Sequence, residues 1–138
     1  MTIVAHTDGA SRGNPGESGI GILLRDEQGS TLFEGSGYIG KATNNIAEYQ
    51  ALLACLKKTQ EFACTKLVVH SDSELMVKQL RGEYKVKDHI LQRLHKEAKE
   101  LLSRAAYKFE IRHVARDDNS EADELANIGI DGKQLLQV

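Results

Sequence analysis

The first third of this chain repeats its apolar residues on a period of two, and the rest shifts to a period of three to four. Ile3-Val4-Ala5-His6-Thr7 predicts a short strand that stops at Asp8-Gly9. Arg12-Gly13-Asn14-Pro15-Gly16 is a strong turn signal, and Ile20, Ile22 and Leu24 then alternate up to a second turn at Asp26-Glu27-Gln28-Gly29. A third strand is predicted from Thr31 to Ile39, carrying Phe33 and Tyr38. Three strands joined by short turns make an antiparallel meander.

From Ile46 to about Gln60 the apolar residues Tyr49, Leu52, Leu53 and Leu56 recur at helical spacing. Leu67-Val68-Val69 is the compact run of a buried central strand. A helix from Ser73 to Arg81 follows, with Gly82 at the place of a helix-ending glycine. Asp88 is suited to cap a further helix whose stripe is Ile90, Leu91, Leu94, Ala98, Leu101 and Leu102. Tyr107 to Val114 alternates as a fifth strand, and Ser120 to Ile128 reads as a last helix. The order is β-β-β-α-β-α-α-β-α. Its fourth and fifth strands are reached through helices, as parallel crossovers require. The predicted fold class is α/β: a mixed five-stranded sheet with helices on its faces. The expected division is one domain over residues 1–130 and a tail over 131–138.

Composition narrows this only a little. At 138 residues, 41% hydrophobic and 28% charged, the chain fits one ordinary globular domain. No stretch approaches the roughly 20 apolar residues of a membrane helix, and no leader sequence is evident at Met1-Thr2-Ile3-Val4. A cytoplasmic monomer with no membrane association and no obligate protein partner is expected. Cys55 and Cys64 lack metal-site spacing and read as free thiols. A net charge of −2 argues mildly against a polyanionic partner, yet Lys78, Arg81, Lys85 and Lys87 cluster around Gly82.

Four carboxylates change the picture more than any bulk property. Asp8, Glu48, Asp72 and Asp123 each stand where a strand ends or a helix begins. Singly, each has a bland structural role. Asp8-Gly9 opens turns, Asp72 suits a helix N-cap, and Glu48 and Asp123 stand three residues after Asn45 and Ser120 as capping acids do. Together they point elsewhere. Glu48 heads an apolar-leaning row through Leu52 and Cys55, and Asp123 one through Ala126 and Ile130. Asp8 and Asp72 fall at strand ends, where open α/β sheets bind ligands. Four acids at one point repel unless divalent cations neutralise them. Two Mg²⁺ ions, with Mn²⁺ as the alternative, suit hard oxygen ligands and the hydrolysis of phosphodiesters.

The segments Thr7-Asp8-Gly9-Ala10-Ser11, Gly13-Asn14-Pro15-Gly16, Thr43-Asn44-Asn45 through Glu48, Ser71-Asp72-Ser73 and Asn119 through Asp123-Glu124-Leu125-Ala126 resemble the type 1 ribonuclease H family. They occur in that family's order and span the chain to about Ile128. The resemblance implies a ribonuclease H-like fold and an endonuclease that cuts the RNA strand of RNA/DNA hybrids, leaving 5′-phosphate and 3′-hydroxyl ends. It implies Asp8, Glu48, Asp72 and Asp123 as the metal-binding catalytic set. As substrate contacts it suggests Gly9, Ala10, Ser11, Asn14, Thr43, Asn44 and Asn45. Glu74 stands where many relatives carry glutamine.

Two departures from that family matter. Many bacterial relatives carry a basic, tryptophan-bearing protrusion between the middle helices. This chain has no tryptophan, and only Gly82-Glu83-Tyr84-Lys85-Val86-Lys87 joins those helices. Lys85 and Lys87 are the phosphate contacts expected to remain, with weaker and more salt-sensitive binding. The loop histidine that many relatives place about ten residues before the last aspartate is not evident. His113, Arg116 or no direct equivalent fills that role. A related metal nuclease or exonuclease acting on single-stranded ends or DNA, and a catalytically poor hybrid- or nucleic-acid-binding module, are the competing functions. His6 and His70 read as strand residues rather than ligands.

Overall fold

In a computed structural model that describes residues 1–133, the chain forms five strands, four α-helices and one short 3₁₀ turn. The strands are β1 (Thr2–Gly13), β2 (Gly16–Arg25), β3 (Thr31–Ala42), β4 (Lys66–Ser71) and β5 (Lys108–His113). The helices are α1 (Asn44–Thr59), α2 (Glu74–Leu80), α3 (His89–Ser103) and α4 (Ser120–Gly132), and the 3₁₀ turn covers Arg116–Asn119. They lie in the sheet order β3-β2-β1-β4-β5, antiparallel across the meander and parallel from β1 through β4 to β5. This is the mixed sheet that the sequence pattern predicts.

The first strand is longer than expected. It does not stop at Asp8-Gly9 but runs to Gly13, because β2 pairs with it from Val4↔Arg25 to Gly13↔Gly16. What stops near Asp8 is the parallel pairing on the other side, whose last pair is Thr7↔Ser71. Asp8 and Asp72 are therefore each the first residue beyond that ladder. The predicted strand end is real for one edge of β1 and absent for the other.

Alternation sends the two faces of the sheet to different helices. Ile3, Ala5, Ile20, Ile22, Leu24, Leu67 and Val69 join Tyr49, Leu52, Leu53 and Leu56 of α1 in one apolar cluster. The helix α4 covers the opposite face, crossing β2, β3 and β1. It lies so close that a Cβ on Gly21 would stand 2.2 Å from the Ala122 carbonyl oxygen. Ala122, Ala126 and Ile130 are buried there. The helix runs on through Gly132, so residues 131 and 132 of the expected tail are helical, and residues 134–138 lie outside the described residues.

Most predicted helix signals act as expected. Asp88 Oδ1 accepts from the amides of Ile90 and Leu91, and Gly82 follows the C-cap Arg81 of α2. The stripe of α3 is narrower than predicted. Leu91, Leu94 and Ala98 are buried, but Ile90 is 45% exposed because it lies in the first turn, beyond the edge of the α1 surface. Cys55 and Cys64 are free and buried. Among the described residues, no helix is long and apolar enough to cross a membrane.

Candidate metal centre and catalytic cleft

The end of the parallel ladder creates the site. With β4 finished at Ser71, the amide of Gly9 lacks a strand partner on that side, and Glu48 Oε1 accepts it at 2.8 Å. Glu48 comes from α1, on the sheet face opposite α4. It reaches Gly9 because that helix presses directly on the strand. A Cβ on Gly9 would lie 2.2 Å from the Ala47 carbonyl carbon, an approach only glycine permits. Oxygen atoms of Asp8, Glu48 and Asp72 all lie within 4.8 Å of one another. Asp123, in the first turn of α4, lines the same cleft, close enough to help raise the Asp8 carboxyl.

None of the acids serves as a helix cap. Thr43 caps α1 through Ile46 N–H, which puts Glu48 too far along the helix for a capping box. Ser73, not Asp72, caps α2 through Met76 N–H. At α4 the preceding 3₁₀ turn makes Asn119 the N-cap residue, so Asp123 is not paired with Ser120 as a capping acid. The three capping explanations fail by one or two residues each.

Electrostatics follow from that crowding. Burial, then the charges of Glu48 and Asp72, push the Asp8 carboxyl from its ordinary 3.8 up to about 10. Glu48 is raised as well, first by burial and then by Asp72, while the Gly9 amide and Arg116 pull it back down. Such a cluster holds protons at neutral pH unless cations replace them. The cluster offers hard oxygens from one cleft and no soft donor, so it could hold a hard divalent cation.

The cleft has a volume of about 380 Å³ and brings together most of the expected contacts. Gly9, Ala10, Ser11, Asn44, Asn45 and Glu74 line it beside the four acids. Several side chains there are already engaged. The Ser11 hydroxyl bonds the Ala42 carbonyl at 2.9 Å, and Glu74 pairs with Lys78 at 2.8 Å. Asn14 and Thr43 do not line the cleft. Asn14 Oδ1 instead accepts the Asn44 amide, tying the β1–β2 turn to the start of α1.

The two candidates for the loop histidine separate cleanly. His113 is the last residue of β5, paired with Ser71, exposed and outside the cleft lining. Arg116 lines the cleft, close enough to lower Glu48. Lys85 and Lys87 are exposed on the α2–α3 connection, also outside the cleft lining. His6 and His70 are strand residues whose rings stack 4.7 Å apart on the face that carries Asp8 and Asp72.

Asn119 is a site residue that the acid pattern did not single out. It is almost fully buried, and its amide donates to the Thr7 carbonyl at 2.9 Å and to Asp72 Oδ2 at 3.3 Å. Its place four residues before Asp123 was the available signal. A larger cavity at the far end, lined by Thr59, Phe62, Cys64, Leu101, Arg104 and Tyr107, holds no comparable acidic cluster.

With the geometry in place, comparison with known proteins is decisive. The family model described as "Reverse transcriptase-like" matches residues 6–129. A ribonuclease H of Methylococcus capsulatus is 34% identical, with 99% of this chain and 92% of that protein covered. The chain belongs to the ribonuclease H family.

Two further relatives refine the placement within the ribonucleases H. Ribonuclease HI of Halobacterium salinarum is 42% identical over 92% of this chain, which spans 63% of that protein's length. The bifunctional protein Rv2228c of Mycobacterium tuberculosis is 40% identical, and the chain spans 36% of it. Among solved structures, LC11-RNase H1 in complex with RNA/DNA hybrid superposes with a TM-score of 0.90 at 40% identity, covering 94% of this chain and 97% of that one. The halobacterial RNase H1 structure gives 0.90 at 41%, covering 96% and 99%.

Proposed function

We propose that this chain is an endonuclease that hydrolyses the RNA strand of RNA/DNA hybrids, leaving 5′-phosphate and 3′-hydroxyl ends. The observation that carries the reading is the convergence of Asp8, Glu48 and Asp72 within 4.8 Å, with Asp123 beside them, on the floor of an open cleft. The hybrid-bound relative, alike over nearly its whole length, supports the choice of substrate. Asp8, Glu48, Asp72 and Asp123 would hold two cations, Mg²⁺ or Mn²⁺. With both bound, activation of the attacking water and neutralisation of the departing 3′ oxygen come from them.

The chain's own groups bind and orient. Gly9 and Ala10 leave room for a ribose to approach the acids, and the Asn44 and Asn45 amides face the same space as donors to sugar or phosphate. Arg116 contributes a permanent positive charge on the cleft wall for a phosphate oxygen. A guanidinium does not lose its proton at neutral pH, so Arg116 holds the phosphate and the departing oxygen takes its proton from water. His113 lies outside the cleft and has no part in this scheme. Lys85 and Lys87 extend the binding track along the phosphates of the hybrid. The protein acts as a monomer in a reducing cytoplasm, where its two free thiols stay reduced.

The test is a labelled RNA/DNA hybrid incubated in Mg²⁺, Mn²⁺ or EDTA, with duplex RNA and duplex DNA alongside. Metal-dependent loss of the RNA strand alone is expected, and Asp8→Asn abolishes it. Equal cutting by wild type and Asp8→Asn, or cutting of duplex DNA, removes the reading.

A further inference from the structure

Three of the four acids are fixed by the sheet or by α1, but Asp123 is not. Asp8 and Asp72 extend from paired strands, and Glu48 is anchored by the Gly9 amide. Asp123 stands outside the tight three-acid group, on α4, which covers the sheet face opposite α1. A chain of polar contacts runs from it to the far end of β1. Asn127, one turn along α4, donates from Nδ2 to the Asp123 carbonyl at 3.0 Å and faces Asp123 Oδ1 at 3.5 Å. Arg12 Nη2 donates to Asn127 Oδ1 at 3.1 Å, and Arg12 Nη1 to Asp131 Oδ1 at 2.6 Å.

The chemistry of this chain of contacts allows one orientation. Arginine only donates, so the Asn127 oxygen must face Arg12 and its NH₂ group must face Asp123. Asp131 in turn fixes the guanidinium, one helical turn beyond Asn127. Arg12 lies on the same β1 face as Asp8, separated from it by Ala10. The strand that carries Asp8 therefore also orients the donor that steadies the fourth acid.

We infer that Arg12 and Asn127 are positioning residues that hold the Asp123 carboxylate at the metal cluster, with Asn127 acting directly and Arg12 acting through it. The inference rests on the reading of the four acids as cation ligands. A neutral amide donor suits the task, since it orients Asp123 without cancelling the charge that a cation requires. Partners of this kind typically contribute 10- to 100-fold to metal affinity, and these are partly exposed, so the lower end, about 10-fold, is expected.

The experiment is Mn²⁺ titration of the full chain without nucleic acid, read by calorimetry or by loss of the free-ion EPR signal. Arg12→Gln and Asn127→Ala should each weaken Mn²⁺ binding by about 10-fold. In an Asp123→Asn background the same substitutions should change nothing. Urea midpoints in EDTA separate this from simple tethering of α4, because a purely structural contact would lower the midpoint and leave Mn²⁺ affinity alone. Unchanged affinity in both single variants overturns the inference, as does an equal loss in the Asp123→Asn background. Cleavage of the hybrid by wild type is scored separately. If that fails while the Mn²⁺ couplings hold, the substrate reading falls and the positioning role stands.

Discussion

Replacing Asp8 by asparagine should make the metal-free protein more stable, although it destroys the centre. Asp8 is 4% exposed and faces Glu48 and Asp72, so burial and then like charge raise its carboxyl from 3.8 to about 10. A group whose pKa is higher folded than unfolded contributes stability that is complete below the unfolded value and is lost as pH rises toward the folded one. The loss therefore begins near 3.8 and is largely complete near 10. At about 1.4 kcal/mol per pH unit, ionising Asp8 in the fold near pH 7 costs at most about 4 kcal/mol. The repulsion is spread over Asp8, Glu48 and Asp72, so removing one charge of the three should recover about 2 kcal/mol. Asparagine keeps the shape and discards the charge. Urea unfolding in EDTA should show a higher midpoint at unchanged slope for Asp8→Asn near neutral pH. The two curves should merge as pH falls below about 4, where both side chains are neutral. Adding Mg²⁺ should stabilise wild type far more than the variant. A variant equal to or weaker than wild type in EDTA, or a difference that does not change with pH, would refute the argument that crowded charge strains the centre.

The remaining predictions concern geometry and substrate. Gly9→Ala places a Cβ 2.2 Å from the Ala47 carbonyl carbon and 2.3 Å from the Glu48 amide nitrogen, so α1 must shift. It should cost about 1–3 kcal/mol in urea unfolding and abolish hybrid cleavage; a variant within about 0.5 kcal/mol of wild type would mean that the helix moves freely. Arg116→Ala should lower kcat by about 10- to 100-fold at saturating hybrid, with Arg116→Lys intermediate and His113→Ala close to wild type. The reverse ranking would return the proton-transfer role to His113. Lys85→Ala combined with Lys87→Ala should reduce the slope of log K against log salt by about 1 to 2 for hybrid binding, and an unchanged slope takes the α2–α3 connection out of the interface.

The legibility of this chain divides by range. Local signals worked: the change of period near Ile46 marks α1, Asp88 caps α3, and the row from Glu48 through Leu52 to Cys55 does face inward. Long-range register was not legible. Nothing near Asp8 announces that β1 continues to Gly13 on its β2 side while its β4 side ends at Thr7↔Ser71. That asymmetry, between residues 64 apart, is what brings Asp8 and Asp72 together. The same limit explains His113 and Arg116. Residue count favoured His113, but strand pairing commits it to Ser71, and only the 3₁₀ turn after β5 carries a side chain into the cleft. Arg12 and Asn127 were out of reach for the same reason, since 115 residues separate them.

The cluster also shows how a fold can gather charge without cancelling it. Glu48 receives a backbone N–H from Gly9, Asp72 an amide from Asn119, and Asp123 an amide from Asn127. All three donors are neutral. They orient carboxylate oxygens but leave the negative charge in place, whereas a lysine or arginine against each acid would have satisfied it internally. Among the described residues Asp8, the most crowded, has no such donor, and burial and its acidic neighbours raise its carboxyl. Among the described residues the one cation lining the cleft, Arg116, lowers Glu48 only as the last of five influences on it. The protein thus leaves its largest electrostatic debt at Asp8. Divalent cations would relieve it most strongly there, which is why the pH dependence of metal-free stability and the affinity for Mn²⁺ should change together when Asp8 is altered.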